Sequence, residues 1–458
     1  MEMGRRGLMC GGVAALALAA SPATALADRV APFLAAEPGF TGEAALAMAL
    51  AGLGRAVGPA AIYELSGADP ATGAGSDASG LVRAAQALGA EATLWAAAVD
   101  GDATSGLWAA LQELLRSGDA LLLELADGDF VRVAGLRGAR LKIDHPRAGP
   151  ERTIRRRELP RQWIQPAGDG GWQVRAVVLR APRGIEAAPE RGAAIDGIAV
   201  ARRVRELSDE LDARGWSVAV AGPFIVTGDL PRARLEHFSA GVIGMALGHL
   251  RRGFFARDPR DPVLTYLFGD DPSYRQHTLE IFGELPETPY GYYDRGRHAM
   301  VMNIATGGGT LVHEMVHPLL RVNFPGASPW LDEGLASLFE QCRERDGQLV
   351  GMTNWRLPGL QHALRGGHAP SFDALLAGDA ATFYGENRGN NYAVARYLLY
   401  YFQERGVLRD LWRRLVAGGR RDDGGLAIVG EFAERLGHRD LGAFRRTWES
   451  YVLALRYP

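Results

Sequence analysis

Two histidines four residues apart, His313 and His317, enclose a glutamate, Glu314, within the stretch 310–340. On a helix that spacing puts both imidazoles on one face, one turn apart. Two imidazoles so placed can hold one divalent metal ion, and Glu314 can reach a water on that metal and act as its base. Sixteen residues past His317, Glu333 opens a second amphipathic run, LDEGLASLFEQC. A carboxylate there can return to the metal as third protein ligand and leave the fourth position to water. The plain alternative is a surface helix with two polar positions. Leu311, Val312, Met315, Val316, Leu319 and Leu320 argue instead for burial, and buried histidines and glutamates need partners such as a metal.

H-E-x-x-H followed by W-L-D-E-G-L-A resembles the gluzincin zinc metallopeptidases, in the compact form called peptidase MA-like. The resemblance covers residues 216–458. It implies one zinc ion held by His313, His317 and Glu333, Glu314 as general base, and a peptide or protein substrate. The fold it implies is zincin-like: a small mixed sheet, the HExxH helix and a helical C-terminal lobe. Pro318, directly after the second histidine, departs from the pattern and is expected to kink the helix past the site. Related gluzincins place a tyrosine after the third ligand to stabilise the oxyanion. Tyr384 and Tyr392 lie in that region and are the candidates, each with a packing role as its alternative. His298 is a further donor candidate, and Ser337, one turn after Glu333, is positioned to support the ligands by hydrogen bonding.

The elements that must position these residues are legible around them. Strand-like runs at 217–226, 263–268 and 299–304 alternate with helical runs at 232–251 and 274–282. In the family resembled, the last of these strands lines the cleft and pairs with an extended substrate backbone. Gly307, Gly308 and Gly309 fit no phosphate-loop spacing and read as a tight connection, with Thr310 as the expected N-cap. Past Glu340 the pattern is helical at 391–404, 408–417, 427–436 and 441–455, with aromatic residues at core spacing.

The first half reads as a separate α+β domain, residues 28–180, followed by a linker and connecting helix at 181–215 and the zincin-like domain at 216–458. Helical periodicity at 42–53, 79–88 and 107–116 precedes strand-like runs at 120–125, 130–136, 140–144 and 174–179. With GFTGEAALAMAL, SGLVRAAQALGAEA, DGDFVRVAG and KIDHPRAG, this half resembles the C39-type papain-like peptidase domain. The nucleophilic cysteine expected at the first helix's N-terminus is Thr41, and the expected histidine is Asp129 or Phe130. Asp144 matches the orienting carboxylate with nothing to orient, and His145 reads as a loop residue. Thr41 is expected to cap its helix, in a domain that has lost catalysis and binds or regulates. Arg147, Arg152, Arg155, Arg156, Arg157 and Arg161 form a basic run that either meets an acidic partner or is a solvated face.

The 458 residues allow two or three domains. At 47% apolar, 23% charged and a net charge of −2, nothing argues for nucleic acid, and no long apolar span argues for an integral membrane protein. Residues 1–27 read as a signal peptide: Arg5 and Arg6, an apolar core and Ala25-Leu26-Ala27 before Asp28. Export to the periplasm or outside the cell is expected, by the Sec rather than the twin-arginine route. Cleavage removes Cys10 and leaves Cys342 as the one thiol, expected to be packed. A peptidase is the function these motifs favour, with possible self-limitation by the first half. The rival is a peptide- or protein-binding module with a structural zinc.

Overall fold

The computed structural model describes residues 31–99, 103–117, 120–168, 170–181, 196–419 and 423–457. The signal segment and residues 182–195 of the linker lie outside the described residues. The chain is mixed α+β and divides into two compact units, with boundaries at Ile62/Tyr63, Ser76/Asp77 and Ile185/Glu186. Residues 63–76 group with the second unit, where Arg205 Nε donates to the Gly73 carbonyl at 2.8 Å.

In the first unit, α1 (Thr41–Gly52) is buried from Thr41 to Leu50, which its small-residue sequence allows on every face. Helix α2 (Pro59–Ser66) crosses the first boundary, and α3 (Ala78–Ala87) is capped by Asp77. Then follow β1 (Glu91–Ala98), α4 (Ala103–Ser117), β2 (Ala120–Glu124), β3 (Phe130–Arg137), β4 (Arg140–His145), β5 (Gly149–Arg155), α5 (Leu159–Trp163), β6 (Gln165–Pro166) and β7 (Trp172–Arg180). The strands make one sheet ordered β1-β7-β2-β3-β4-β5, with β6 also on β7. Alternate residues such as Leu121, Leu123, Val131, Val133, Leu141 and Ile143 fill a core against Trp108 and Trp163. Strands β1 and β5 escape a sequence reading. EATLWAAA is rich in a helix former, yet eight residues of β1 pair with β7.

Thr41 does not cap α1. Phe40 takes the N-cap position, and the Thr41 hydroxyl donates to Asp129 Oδ1 (3.3 Å) while accepting from the Phe130 N–H (2.9 Å). The residue therefore ties helix to sheet. Asp144 does orient a group, the buried Arg132 guanidinium, with which it pairs. His145 ends strand β4 instead of lying in a loop.

In the second unit, α6 (Gly197–Arg214) leads to β8 (Ser217–Ala221) and β9 (Phe224–Gly228), a hairpin where a single strand at 217–226 was expected. Gly222, at φ 58°, and Pro223 make the turn. Next come α7 (Arg232–Glu236), a π-helical stretch (His237–Gly244), α8 (Met245–Gly253), β10 (Val263–Phe268), α9 (Asp271–Phe282), β11 (Gly291–Asp294) and β12 (Ala299–Asn303). The sheet order is β11-β12-β10-β9-β8, parallel at β9-β10-β12 and antiparallel at both edges. Alternation in β10 explains why all six of its residues are buried. Val263 and Leu267 enter one core, and Leu264, Tyr266 and Phe268 enter another, which α6 and α9 cover. The first of these cores extends into α10 (Gly308–Asn323), α11 (Pro329–Glu340) and, beyond the hairpin β13 (Cys342–Arg345) and β14 (Gln348–Gly351), a helical lobe. Its helices are α12 (Arg356–Arg365), α13 (Phe372–Leu376), α14 (Ala380–Phe383), α15 (Arg388–Glu404), α16 (Leu408–Gly418), α17 (Leu426–Arg435) and α18 (Leu441–Ala454). Among the described residues no helix is long and apolar enough to cross a membrane.

Candidate metal centre

Helix α10 supplies His313, Glu314 and His317, all buried, and runs on through Pro318 to Asn323. The helix begins at Gly308 behind an N-cap at Gly307 (φ 102°), so Thr310 sits inside the first turn and is not the cap. Gly309 is required by packing: a Cβ there would meet the Glu340 carbonyl oxygen at 2.2 Å. That contact lets the end of α11 lie against the start of α10.

Helix α11 opens with Pro329 in its first turn, a position where the missing N–H costs nothing. Trp330 is wholly buried and its Nε1 donates to the Gly424 carbonyl at 2.8 Å. With the helix so anchored, Glu333 reaches the histidines: its Oε2 lies 3.4 Å from His313 Nε2 and 3.9 Å from His317 Nε2. One donor atom from each of the three residues falls within 4.8 Å of the others. Glu333 Oε2 and His313 Nδ1 are buried without a hydrogen bond among the described residues. A buried carboxylate oxygen that faces two imidazole nitrogens without a hydrogen bond has room in its coordination for a cation. The donor set fits a divalent cation, and two nitrogens with one carboxylate oxygen suit zinc.

Asp332 completes the arrangement, and the sequence reading passed over it. Its Oδ1 lies 2.6 Å from His317 Nδ1, which fixes the ring and turns Nε2 toward Glu333. Burial alone would lower the His317 pKa, but Asp332 and Glu333 outweigh it and push the imidazole up to about 10. Burial would raise Glu333, yet His317 and His313 hold it down at about 2. Burial pushes the Glu314 carboxyl above its ordinary range, against the pull of His313 and His317. Its Oε2 lies 3.8 Å from His317 Nε2. A raised carboxyl beside an imidazole pair is suited to taking up and returning a proton.

Tyr384 and Tyr392 both come to this place. The Tyr384 hydroxyl donates to Glu333 Oε1 at 2.8 Å, and the two rings stand 6.3 Å apart. Burial and the Glu333 charge push both phenols up, so both remain proton donors. They line a cleft of about 710 Å³ together with His313, Glu314, Tyr290, Trp355 and Arg356. Arg356 stacks on Trp355 and is paired with Glu340.

Other expectations are corrected. β12 is not the strand that bounds the sheet here; β11 lies outside it, and Tyr290 and Gly291 at its start line the cleft. His298 does not line it. It sits at φ 51° before β12, with Nδ1 3.3 Å from the Tyr293 hydroxyl. Among the described residues the Ser337 hydroxyl makes no hydrogen bond; its carbonyl accepts from Arg396. Cys342 is packed as expected, half-buried against the core on a strand, and burial raises its thiol to about 11.

No protein-family model matches this chain, and no curated protein does. Among solved structures, the chain is similar to a double glycine motif protease from an AMS/PCAT transporter in complex with the leader peptide. The identity is 20%, over 34% of this chain and 94% of that one, with a TM-score of 0.26. A likeness that slight decides nothing about chemistry.

Proposed function

We propose that this chain is an exported, zinc-dependent metallopeptidase of gluzincin type, holding one zinc ion on His313, His317 and Glu333. The observation that carries this reading is the buried set of three converging donors, of which His313, with Glu314 beside it, lines a cleft. When bound, zinc supplies Lewis acidity, polarising a carbonyl and bringing a water's pKa near neutrality. The protein's own residues do the rest. Asp332 holds the His317 ring, Glu314 accepts a proton from the attacking water, and the same carboxyl returns it to the leaving amine. Tyr384 or Tyr392 donates to the developing oxyanion. The cleft wall at Tyr290 and Gly291, beside the last strand of the sheet, suits an extended peptide.

A purely structural zinc site closes with four protein ligands. Among the described residues the group numbers three, which favours the enzyme over the binding module. The first unit is read as a C39-like domain without its chemistry. The Thr41 hydroxyl is engaged by Asp129 and the Phe130 N–H, and the one imidazole near that carboxylate among the described residues, His145, faces its other oxygen at 3.9 Å.

The test pairs metal content with hydrolysis of a casein-derived peptide library by wild type and Glu314→Ala. One zinc in each, with cleavage by wild type alone, is the expected result. A wild type that binds no metal refutes the central claim. Zinc in both with cleavage in neither leaves the structural-site reading in its place.

A further inference from the structure

Strand β5 terminates the sheet of the first unit and pairs with β4 alone among the described residues. Register sets three arginines in a row across adjacent strands, Arg137 opposite Arg140 and Arg140 opposite Arg155. Like charges directly opposite one another destabilise a sheet, so the row is kept at a cost. Arg140 and Arg155 to Arg157 line a shallow cavity of about 400 Å³ that no carboxylate borders. Alternation along β5 turns Arg152 to the other face, beside the core residues Ile143 and Ile154. There Arg152 and Arg161 border a second cavity of about 380 Å³, in which Asp127 is the one lining carboxylate. Arg140, Arg152, Arg155 and Arg161 form no ion pair among the described residues.

Protecting an exposed edge from unwanted pairing takes little: a proline, a bulge or a single charge. β5 already has Pro150 and the irregularity between Ile143 and His145. Arginines on both faces go beyond protection and set a requirement for what can lie alongside. Because side chains of an added strand alternate between faces, the complementary ligand carries carboxylates at consecutive positions. We propose that β5 is a docking edge for an extended acidic segment of another polypeptide. Such a segment, a run of consecutive Asp and Glu, lies along 152–155 with alternate carboxylates meeting Arg140 and Arg155 on one face and Arg152 and Arg161 on the other. Its backbone pairs with the free side of β5, which a polyphosphate cannot do.

The test is fluorescence anisotropy of labelled octaglutamate with the full-length protein. Binding is expected at low salt, weakening as salt rises through physiological strength because the charges are exposed. Arg140→Gln/Arg155→Gln and Arg152→Gln/Arg161→Gln should each weaken it by roughly five- to thirty-fold, two exposed ion pairs being lost in each. Octaglutamate N-methylated at alternate residues, which needs no protein variant, should bind more weakly than its parent. No binding at low salt, octaglutamine binding equally well, or both double variants binding like wild type overturns the proposal. So does undiminished binding of the methylated peptide, or tighter binding of a single-stranded oligonucleotide of equal charge, which would assign the surface to polyphosphate.

Discussion

Asp332→Asn gives the sharpest test of how the centre is built. Asp332 Oδ1 lies 2.6 Å from His317 Nδ1, and with Glu333 it lifts the imidazole from 6.5 to about 10. In the metal-free protein at pH 7, His317 therefore carries both ring protons, and a metal ion must displace the one on Nε2. Three pH units separate neutrality from that pKa, which sets a proton-competition cost of about 4 kcal/mol at ~1.36 kcal/mol per unit. Wild-type zinc affinity should thus climb about tenfold per pH unit from 7 toward 10. The amide keeps the shape of the carboxylate and removes its charge, with two opposed consequences. Losing the oriented carboxylate partner weakens zinc about 10- to 100-fold, or about 1.4–2.7 kcal/mol, at every pH. Lowering the His317 pKa relieves proton competition, but only below the wild-type pKa. The deficit of the variant should then be widest near pH 9 and shrink toward pH 7. Competition against a chelator of known pH-dependent affinity, from pH 6 to 9, reads both effects. A wild-type affinity flat between pH 7 and 9, or a deficit that widens toward acid, would refute the assigned coupling between Asp332 and His317.

Three further outcomes are expected. Tyr384→Phe removes the 2.8 Å hydrogen bond to Glu333 and should loosen zinc by about fivefold, roughly 1 kcal/mol at this partly exposed position. If that hydroxyl is also the oxyanion donor, kcat falls at least about tenfold with KM little changed, and Tyr392→Phe assayed alongside separates the two candidates. Gly309→Ala drives a Cβ toward the Glu340 carbonyl, 2.2 Å away, and because backbone cannot swing aside it should cost about 1–3 kcal/mol in denaturant unfolding; an unchanged midpoint contradicts the close crossing of α10 and α11. For the chelated protein, the raised His317 pKa contributes stability that is complete below 6.5 and lost as pH rises through about 10. The lowered Glu333 pKa contributes stability present above 4.5 and lost as pH falls toward about 2. Melting in EDTA should therefore show Tm declining from pH 6.5 to 9.5, a decline that His317→Gln abolishes; a flat profile in wild type counts against the ion pair.

What could be read in the sequence and what could not divides along physical lines. The convergence of the candidate ligands was legible because metal chemistry would fix residue type and helical spacing together, and for 313–317 both are local properties. The elements in the second unit were legible where periodicity was long. Helices α15 to α18 begin within about three residues of their expected starts, because several turns of apolar repeat leave little freedom, whereas the shorter α12, α13 and α14 were not legible. Nor was β11. GYYD is four residues, starting at Gly291 and bounded by Pro289 and Gly296, too short for alternation to show, and it becomes a strand only because β12 offers a partner. The hairpin at Gly222 was read as a single strand because apolar residues on both sides hid its turn.

The same division explains why the centre's positioning groups stayed hidden. Asp332 is adjacent in sequence to Glu333, but its partner is His317, fifteen residues earlier, and only the crossing of α10 and α11 brings them together. That crossing depends on Gly309, which looks like a loop residue until the Glu340 carbonyl is seen against it. Gly334 acts likewise, leaving room for Ala395 and Leu399 of α15, where a Cβ would come within 3.2 Å of the Ala395 backbone. The first unit repeats the lesson with a different outcome. Thr41, expected to satisfy its own helix, instead bridges to Asp129 and Phe130, eighty-eight and eighty-nine residues away. Local propensity sets what such a residue can offer, and tertiary contact decides who accepts it. A site made of ligands alone would be readable from sequence; one made of ligands and the groups that aim them is readable only once the helices have crossed.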